Sequence, residues 1–199
     1  MTGLYGGAFD PPHLGHVEVV RAAKRDFGLP QLVVLVSAQP GHKGTVLDAE
    51  ERLELARAAF PDEDVRLDEY SRTIDMLRDA DWDDPLFLIG ADEFADFLTW
   101  KEPDEVLERA RLAVATRPGF PRERLQSVLE QVRHPERILF FEIQPHPIAS
   151  RDLRERAAAG ERLDGLVPEA VARLIADRHL YVREPGLHSA RTGKDSRPT

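Results

Sequence analysis

The sequence predicts a single α/β domain built on a doubly wound parallel sheet. Short apolar runs recur along the 199 residues, separated by longer amphipathic segments. That alternation is the signature of parallel strands joined by crossover helices. Two of the runs, LVVLV at 32–36 and LFLI at 86–89, contain no polar residue. Strands that read this way are covered on both faces. The hydrophobic fraction of 42% is enough to furnish one such core.

Strands are expected at residues 3–5, 32–36, 65–67, 86–89, 112–115 and 138–141. Helices are expected between them. The first, 14–27, carries apolar Val17, Val20 and Ala23. The second, 48–60, begins at Asp48 with Glu51 three residues later, a capping pattern. Others fall at 73–79, 104–109, 122–131 and 150–159. The last, 168–178, has Pro168 in its first turn and Val171, Leu174 and Ile175 on one face. Parallel crossovers are right-handed, and ligands of such sheets bind beyond the carboxyl ends of the strands. Chemistry is therefore expected just after each apolar run. The domain is expected to span 1–183, and 184–199, polar and rich in Gly and Pro, to be a flexible tail.

Charge narrows the function. Lys and Arg number 27 against 36 Asp and Glu, a net charge of −9. That balance argues against nucleic acid as a partner and against a polybasic membrane anchor. A small phosphorylated substrate is still allowed, because it needs positive potential at one place only. The chain has no cysteine, which removes disulfides, thiol nucleophiles and thiolate metal sites and fits a reducing cytoplasm. No apolar run approaches the roughly 20 residues that span a bilayer, and the first residues lack a signal-peptide pattern. A cytoplasmic protein is expected.

The densest motif follows the first run: Gly6-Gly7-Ala8-Phe9-Asp10-Pro11-Pro12-His13-Leu14-Gly15-His16. Two glycines after a strand let backbone amides approach an anion. A helix starting near Leu14 would place His13 and His16 on one face of its first turn. Exposed amides and the helix dipole there favour negative charge, and two imidazoles can donate hydrogen bonds to phosphate oxygens. Gly15 would leave room for the ligand. From these residues alone, an ordinary turn with surface histidines, or a metal pair with Asp10 as third ligand, remains open.

The whole string resembles the Gly-Gly-x-Phe-Asp-Pro-x-His-x-Gly-His signature of the nucleotidylyltransferase superfamily, whose fold is Rossmann-like. It is most similar to the bacterial nicotinate-nucleotide adenylyltransferases, departing at Ala8, where that family has Thr or Ser. A backbone role survives that change and a hydroxyl contact does not. The resemblance continues through Ser37-Ala38-Gln39-Pro40-Gly41-His42-Lys43 and Ser71-Arg72-Thr73-Ile74-Asp75, where Asp75 replaces a family Thr. It takes in Ile89-Gly90-Ala91-Asp92, Trp100-Lys101 and Arg117-Pro118-Gly119, and spans about residues 1–182. The closing signature Ile148-Ala149-Ser150-Arg151-Asp152-Leu153-Arg154 keeps Ser150 and Arg154 of the family's Ile-Ser-Ser-Thr-x-Ile-Arg.

The resemblance implies an adenylyltransferase that joins AMP from ATP to nicotinate mononucleotide, giving deamido-NAD and pyrophosphate. It implies that His16 acts at the α-phosphate, His13 at the outer phosphates, and Lys43 and Arg154 on phosphate oxygens. Gly6, Gly7, Ala8, Phe9, Ser37, Thr73, Gly90, Asp92, Trp100, Arg117 and Ser150 would contact substrate. Asp92 would bind sugar hydroxyls or cap the next helix; Trp100 would face the pyridine ring; Lys101 could meet a substrate carboxylate. Mg²⁺ would travel on the triphosphate, with no metal site on the protein. Transfer to nicotinamide mononucleotide or another phosphorylated acceptor, and a non-catalytic nucleotide sensor, are the competing readings. A homo-oligomer is allowed. His134, His146, His179 and His188 carry no functional reading.

Overall fold

The structure, a computed structural model, describes residues 1–41, 44–146 and 148–182. The expected tail at 184–199 and Lys43 lie outside the described residues. Six strands form one sheet: β1 Gly3–Gly7, β2 Leu32–Ser37, β3 Asp64–Asp68, β4 Leu86–Gly90, β5 Arg111–Thr116 and β6 Ile138–Glu142. Their order is β3-β2-β1-β4-β5-β6, and every pairing is parallel.

Alternate residues of each strand feed two separate cores. Tyr5, Val34, Val36, Leu88 and Ala113 point to one, and Leu4, Val33, Leu35, Phe87 and Leu112 to the other. The first is covered by α1 Leu14–Phe27, α2 Ala49–Ala59, α7 Ser150–Ala158 and α8 Glu169–Asp177. The second is covered by α3 Thr73–Asp79, α4 Ala91–Ala95, α5 Pro103–Arg109 and α6 Arg122–Leu129. Strands buried on both faces account for the uninterrupted apolar runs. No helix among the described residues is long and apolar enough to cross a membrane.

The winding reverses between β1 and β4. Gly3, Leu4 and Tyr5 are in register with Leu86, Phe87 and Leu88. Beyond Tyr5, β1 continues only beside β2, with Gly6 and Gly7 opposite Leu35 and Val36. The two central strands thus part at their carboxyl ends, and the crevice opens where the topology places a ligand. The diglycine is the last segment of β1, not a bend after it. Its pairing with β2 supplies the hydrogen bonds that keep two weak strand formers extended.

Candidate active site

Two cavities flank the end of β1. One, of about 720 Å³, lies against the first turns of α1 and α7 and includes His13, His16, Ser150 and Arg154. The other, of about 710 Å³, lies against the start of α3 and includes Ser37, Thr73 and Trp100. Gly6, Gly7 and Ala8 line both. The wall between them is therefore largely backbone, with Glu93 and Asp96 also bordering both cavities.

The two imidazoles stand at that wall. His13 is the residue preceding α1, with extended backbone, and His16 is three residues into the helix. Their rings lie against each other, 3.8 Å between centroids and tilted by 31°. The His13 Nδ1 accepts the Gly15 N–H at 3.1 Å, and the His16 Nδ1 accepts the His13 N–H at 3.1 Å. With Nδ1 used as an acceptor, the proton of each ring belongs on Nε2.

This corrects the expectation of exposed helix amides. Leu14 N–H is taken by Leu166 O, Gly15 N–H by His13 Nδ1, and the N–H groups of His16 and Val17 by His13 O. The Val17 bond is the first regular one of the helix, and with the His13 N–H held by His16 Nδ1 every orphan donor of the helix start is satisfied inside the protein. The groups of this helix end that line the cavity are the two imidazoles, whose Nδ1 atoms are taken up by backbone N–H groups. Gly15 also has a different purpose from the one expected. A β-carbon on it would lie 3.0 Å from His13 Nδ1, so its bareness makes room for the capping ring.

Burial pushes the His13 imidazole down to about 4, with the nearby charge of His146 adding to the effect. The ring is then a neutral donor at pH 7, not a cation. Long-range nitrogen–proton NMR is expected to show His13 protonated on Nε2 alone from pH 8 down to pH 5. A doubly protonated ring at pH 6 would refute this. The sign for folding follows. Between the ordinary histidine value of about 6.5 and about 4, the unfolded chain binds a proton that the native state refuses. Acidification through that window therefore weakens the fold.

Phe9 serves the site from below. It is 2% exposed, and its ring meets His16 edge-on at 5.2 Å. Its φ of 50° is left-handed, a conformation costing roughly 1–2 kcal/mol for a residue with a β-carbon. The missing side chain of Gly7 admits the ring, since a β-carbon there would lie 2.9 Å from Phe9 Cζ. Phe9 borders the first cavity while its ring packs in the core beneath it.

Three buried residues hold the loops in place. Arg52 on α2 is 1% exposed and donates to Ala8 O at 2.8 Å, Ser37 O at 2.7 Å and Leu47 O at 3.3 Å. It ties the loop after β1 to the loop after β2, so Ala8 and Ser37 are placed through their carbonyls. Asp10 is also buried, and its carboxylate accepts the Tyr181 hydroxyl at 2.7 Å and the Val46 N–H at 2.6 Å. Engaged at both oxygens, Asp10 is a brace for the loop. Tyr181 brings the closing helix into the same knot, and burial pushes its hydroxyl well above the usual tyrosine range.

Ser150 and Arg154 converge on the histidine loop across the fold. Ser150 Oγ donates to Pro11 O at 2.9 Å, and Arg154 Nη1 donates to Asp10 O at 2.7 Å. The Asp10–Pro11 peptide in that loop is cis. On the opposite wall, Gly90 and Asp92 open α4. Asp92 does not cap this helix, because the Gly90 N–H is met by Glu93 Oε2 at 3.4 Å. The exposed Asp92 carboxylate instead faces Arg117 at 3.5 Å.

In the second cavity Trp100 is fixed edge-on against Phe97 and Phe87, at 5.3 and 6.4 Å between centroids. Lys101 is not free to meet a ligand carboxylate as expected. Its Nζ lies 2.8 and 3.2 Å from the two oxygens of Asp75. Asp75, which stands where the family has Thr, is thus the partner of Lys101. Among the described residues no three His, Cys, Asp or Glu side chains form a group that could hold a metal ion. His146 comes into the first cavity.

Comparison with known proteins agrees with this architecture. A family model described as cytidylyltransferase-like matches residues 4–156. A probable nicotinate-nucleotide adenylyltransferase of Symbiobacterium thermophilum is 35% identical over 199 residues, covering 92% of this chain and 95% of the relative. One from Thermus thermophilus is 35% identical over 191 residues, with 90% and 98% covered. The solved nicotinic acid mononucleotide adenylyltransferase of Plasmodium falciparum, complexed with APC, shares the fold. Its TM-score is 0.68 at 15% identity, over 90% of this chain and 96% of that one. The chain belongs to the cytidylyltransferase-like family, in its nicotinate-nucleotide adenylyltransferase branch.

Proposed function

We propose that this chain transfers the adenylyl group of ATP to nicotinate mononucleotide, forming deamido-NAD and releasing pyrophosphate. The observation that carries this reading is the pair of nucleotide-sized cavities meeting at Gly6, Gly7 and Ala8, with two imidazoles packed together at the junction. ATP occupies the cavity of His13, His16, Ser150 and Arg154. The mononucleotide occupies the other, its pyridine ring beside Trp100 and Thr73, its phosphate at the glycine wall.

The acceptor phosphate is already ionised, so no general base is needed. One of its oxygens attacks the α-phosphorus in line, the bond to the bridging oxygen breaks, and pyrophosphate leaves. Rate comes from alignment and from donors placed where charge grows. The Nε2–H of His16 serves the α-phosphate and that of His13 the outer phosphates. Neutral rings suit this task, because they are already oriented by their Nδ1 bonds. Arg154 spends one N–H on Asp10 O and offers the rest of its fork to phosphate. Lys43, Gly90, Asp92 and Arg117 are assigned to substrate on the resemblance, the last three as a wall of the ATP cavity.

Magnesium fits this cavity as an ion held by phosphate and water. Of the lining carboxylates, Asp10 is engaged at both oxygens and Asp92 faces Arg117, and the described residues form no three-ligand group, which suits an ion carried by the nucleotide. When bound, it would neutralise charge on the triphosphate.

The test is magnesium-dependent pyrophosphate release with ATP and each mononucleotide in turn. Release with nicotinate mononucleotide, in preference to the nicotinamide form, is the expected result. Nucleotide binding without release would leave a sensor. Trp100→Ala is expected to raise KM for the mononucleotide several-fold more than KM for ATP, since a ring–ring contact contributes about 0.5–1.5 kcal/mol. Equal effects on both constants would remove Trp100 from the pyridine site.

A further inference from the structure

The loop between β6 and α7 brings a third imidazole to the phosphate cavity. His146 lines the same cavity as His13, His16 and Arg154. It sits over the first turn of α1: a β-carbon added to Gly15 would stand 3.4 Å from His146 Cβ. The loop is fastened to the helix two residues earlier. Glu18, a buried carboxylate of α1, accepts the Gln144 backbone N–H and the Arg21 Nε–H, the latter at 2.8 Å. Arg21 foremost, and then the loop N–H and His146, hold the Glu18 carboxyl below the usual range.

A fixed loop makes His146 a built part of the wall. It lies close enough to His13 for its charge to disfavour protonation there. The division of labour is then physical. His13 and His16 are oriented donors whose Nδ1 atoms are consumed by the backbone. His146 is placed by its loop over the first turn of α1, beside the pair.

We propose that His146 binds the outer phosphates of the nucleotide triphosphate, as a third imidazole beside His13. This rests on the adenylyltransferase reading for the identity of the nucleotide, but not for its test. The side chain donates an N–H to a terminal phosphate oxygen and, when protonated, adds charge where pyrophosphate leaves.

Titration calorimetry on the full chain, with inorganic tripolyphosphate and AMP as separate probes, decides the matter. In His146→Ala, tripolyphosphate is expected to bind about 5–20-fold more weakly, on the scale of one partly exposed charged hydrogen bond. AMP affinity is expected to stay within twofold, and His146→Arg to restore most of the tripolyphosphate affinity. Unchanged tripolyphosphate binding in His146→Ala overturns the proposal. So does a parallel loss of AMP binding that Arg fails to rescue, because that marks a loop packing residue. A wild-type chain that binds tripolyphosphate through His146 but releases no pyrophosphate would sink the transferase reading and leave this site standing.

Discussion

Replacing His16 with alanine is expected to lower kcat for adenylyl transfer by about 10²–10³, the scale for loss of one preorganised donor. The KM values should change far less. His16 donates from a ring held on three sides: Nδ1 receives the His13 N–H, Phe9 meets it edge-on, and the His13 ring packs against it. That rigidity is the reason for a large kcat effect, because no reorganisation is needed as charge builds on the α-phosphate. In the ground state the same N–H meets a less charged oxygen and contributes less to binding. The substitution also strips a partner from the His13 N–H, costing about 1 kcal/mol of stability. His16→Asn, which can return an acceptor to that N–H, separates the two effects. If stability recovers while kcat stays low, the loss is one of transition-state stabilisation. Turnover near the wild-type value in His16→Ala would reject the role.

The sequence shows this fold well because its information is local. Runs such as LVVLV and LFLI name buried strands by themselves, and Asp48 with Glu51 caps α2 as expected, with both reciprocal bonds made. Where reading fell short, the missing term was a partner distant in the chain. β1 continues to Gly7 because β2 pairs with it, which glycine's weak propensity conceals. The five-residue α4 is too short to show a period, so residues 91–95 looked like connection. Gly15 suggested space for a ligand because nothing in the string says that His13 folds back onto its own helix. The His13–His16 pair was legible as a unit, being contiguous. Its tautomers were not, since they depend on which backbone N–H each Nδ1 meets. Tyr181 is 171 residues from Asp10, and no spacing rule connects them. Lys101 and Asp75 each read as an isolated residue until the fold set them 2.8 Å apart.

Arg52→Leu is expected to destabilise the protein by about 2–4 kcal/mol and to impair both substrate sites together. In the sequence Arg52 is one of many helix arginines, yet it is 1% exposed and donates to three carbonyls. Two opposing terms set the magnitude. Burial disfavours the charge, pulling the guanidinium below the usual arginine range, with Asp10 the chief opposing influence. Leucine removes that penalty. It also strips a charged donor from Ala8 O, Ser37 O and Leu47 O, leaving acceptors that water reaches poorly, and each such loss costs roughly 1–3 kcal/mol. The second term wins because one side chain satisfies three groups and leucine satisfies none. At about 2–4 °C per kcal/mol for a chain of this size, Tm should fall by about 4–16 °C. The kinetic signature distinguishes this from a general loss of stability. Ala8 borders both cavities and Ser37 the second, so KM for ATP and for the mononucleotide should rise together at temperatures well below Tm. Arg52→Lys can replace the single Nη1 that reaches both Ala8 O and Ser37 O but not the Nε–H that meets Leu47 O, and should recover the KM values more than stability. A leucine variant that keeps the wild-type Tm and both KM values would show that the two loops hold their positions without the arginine.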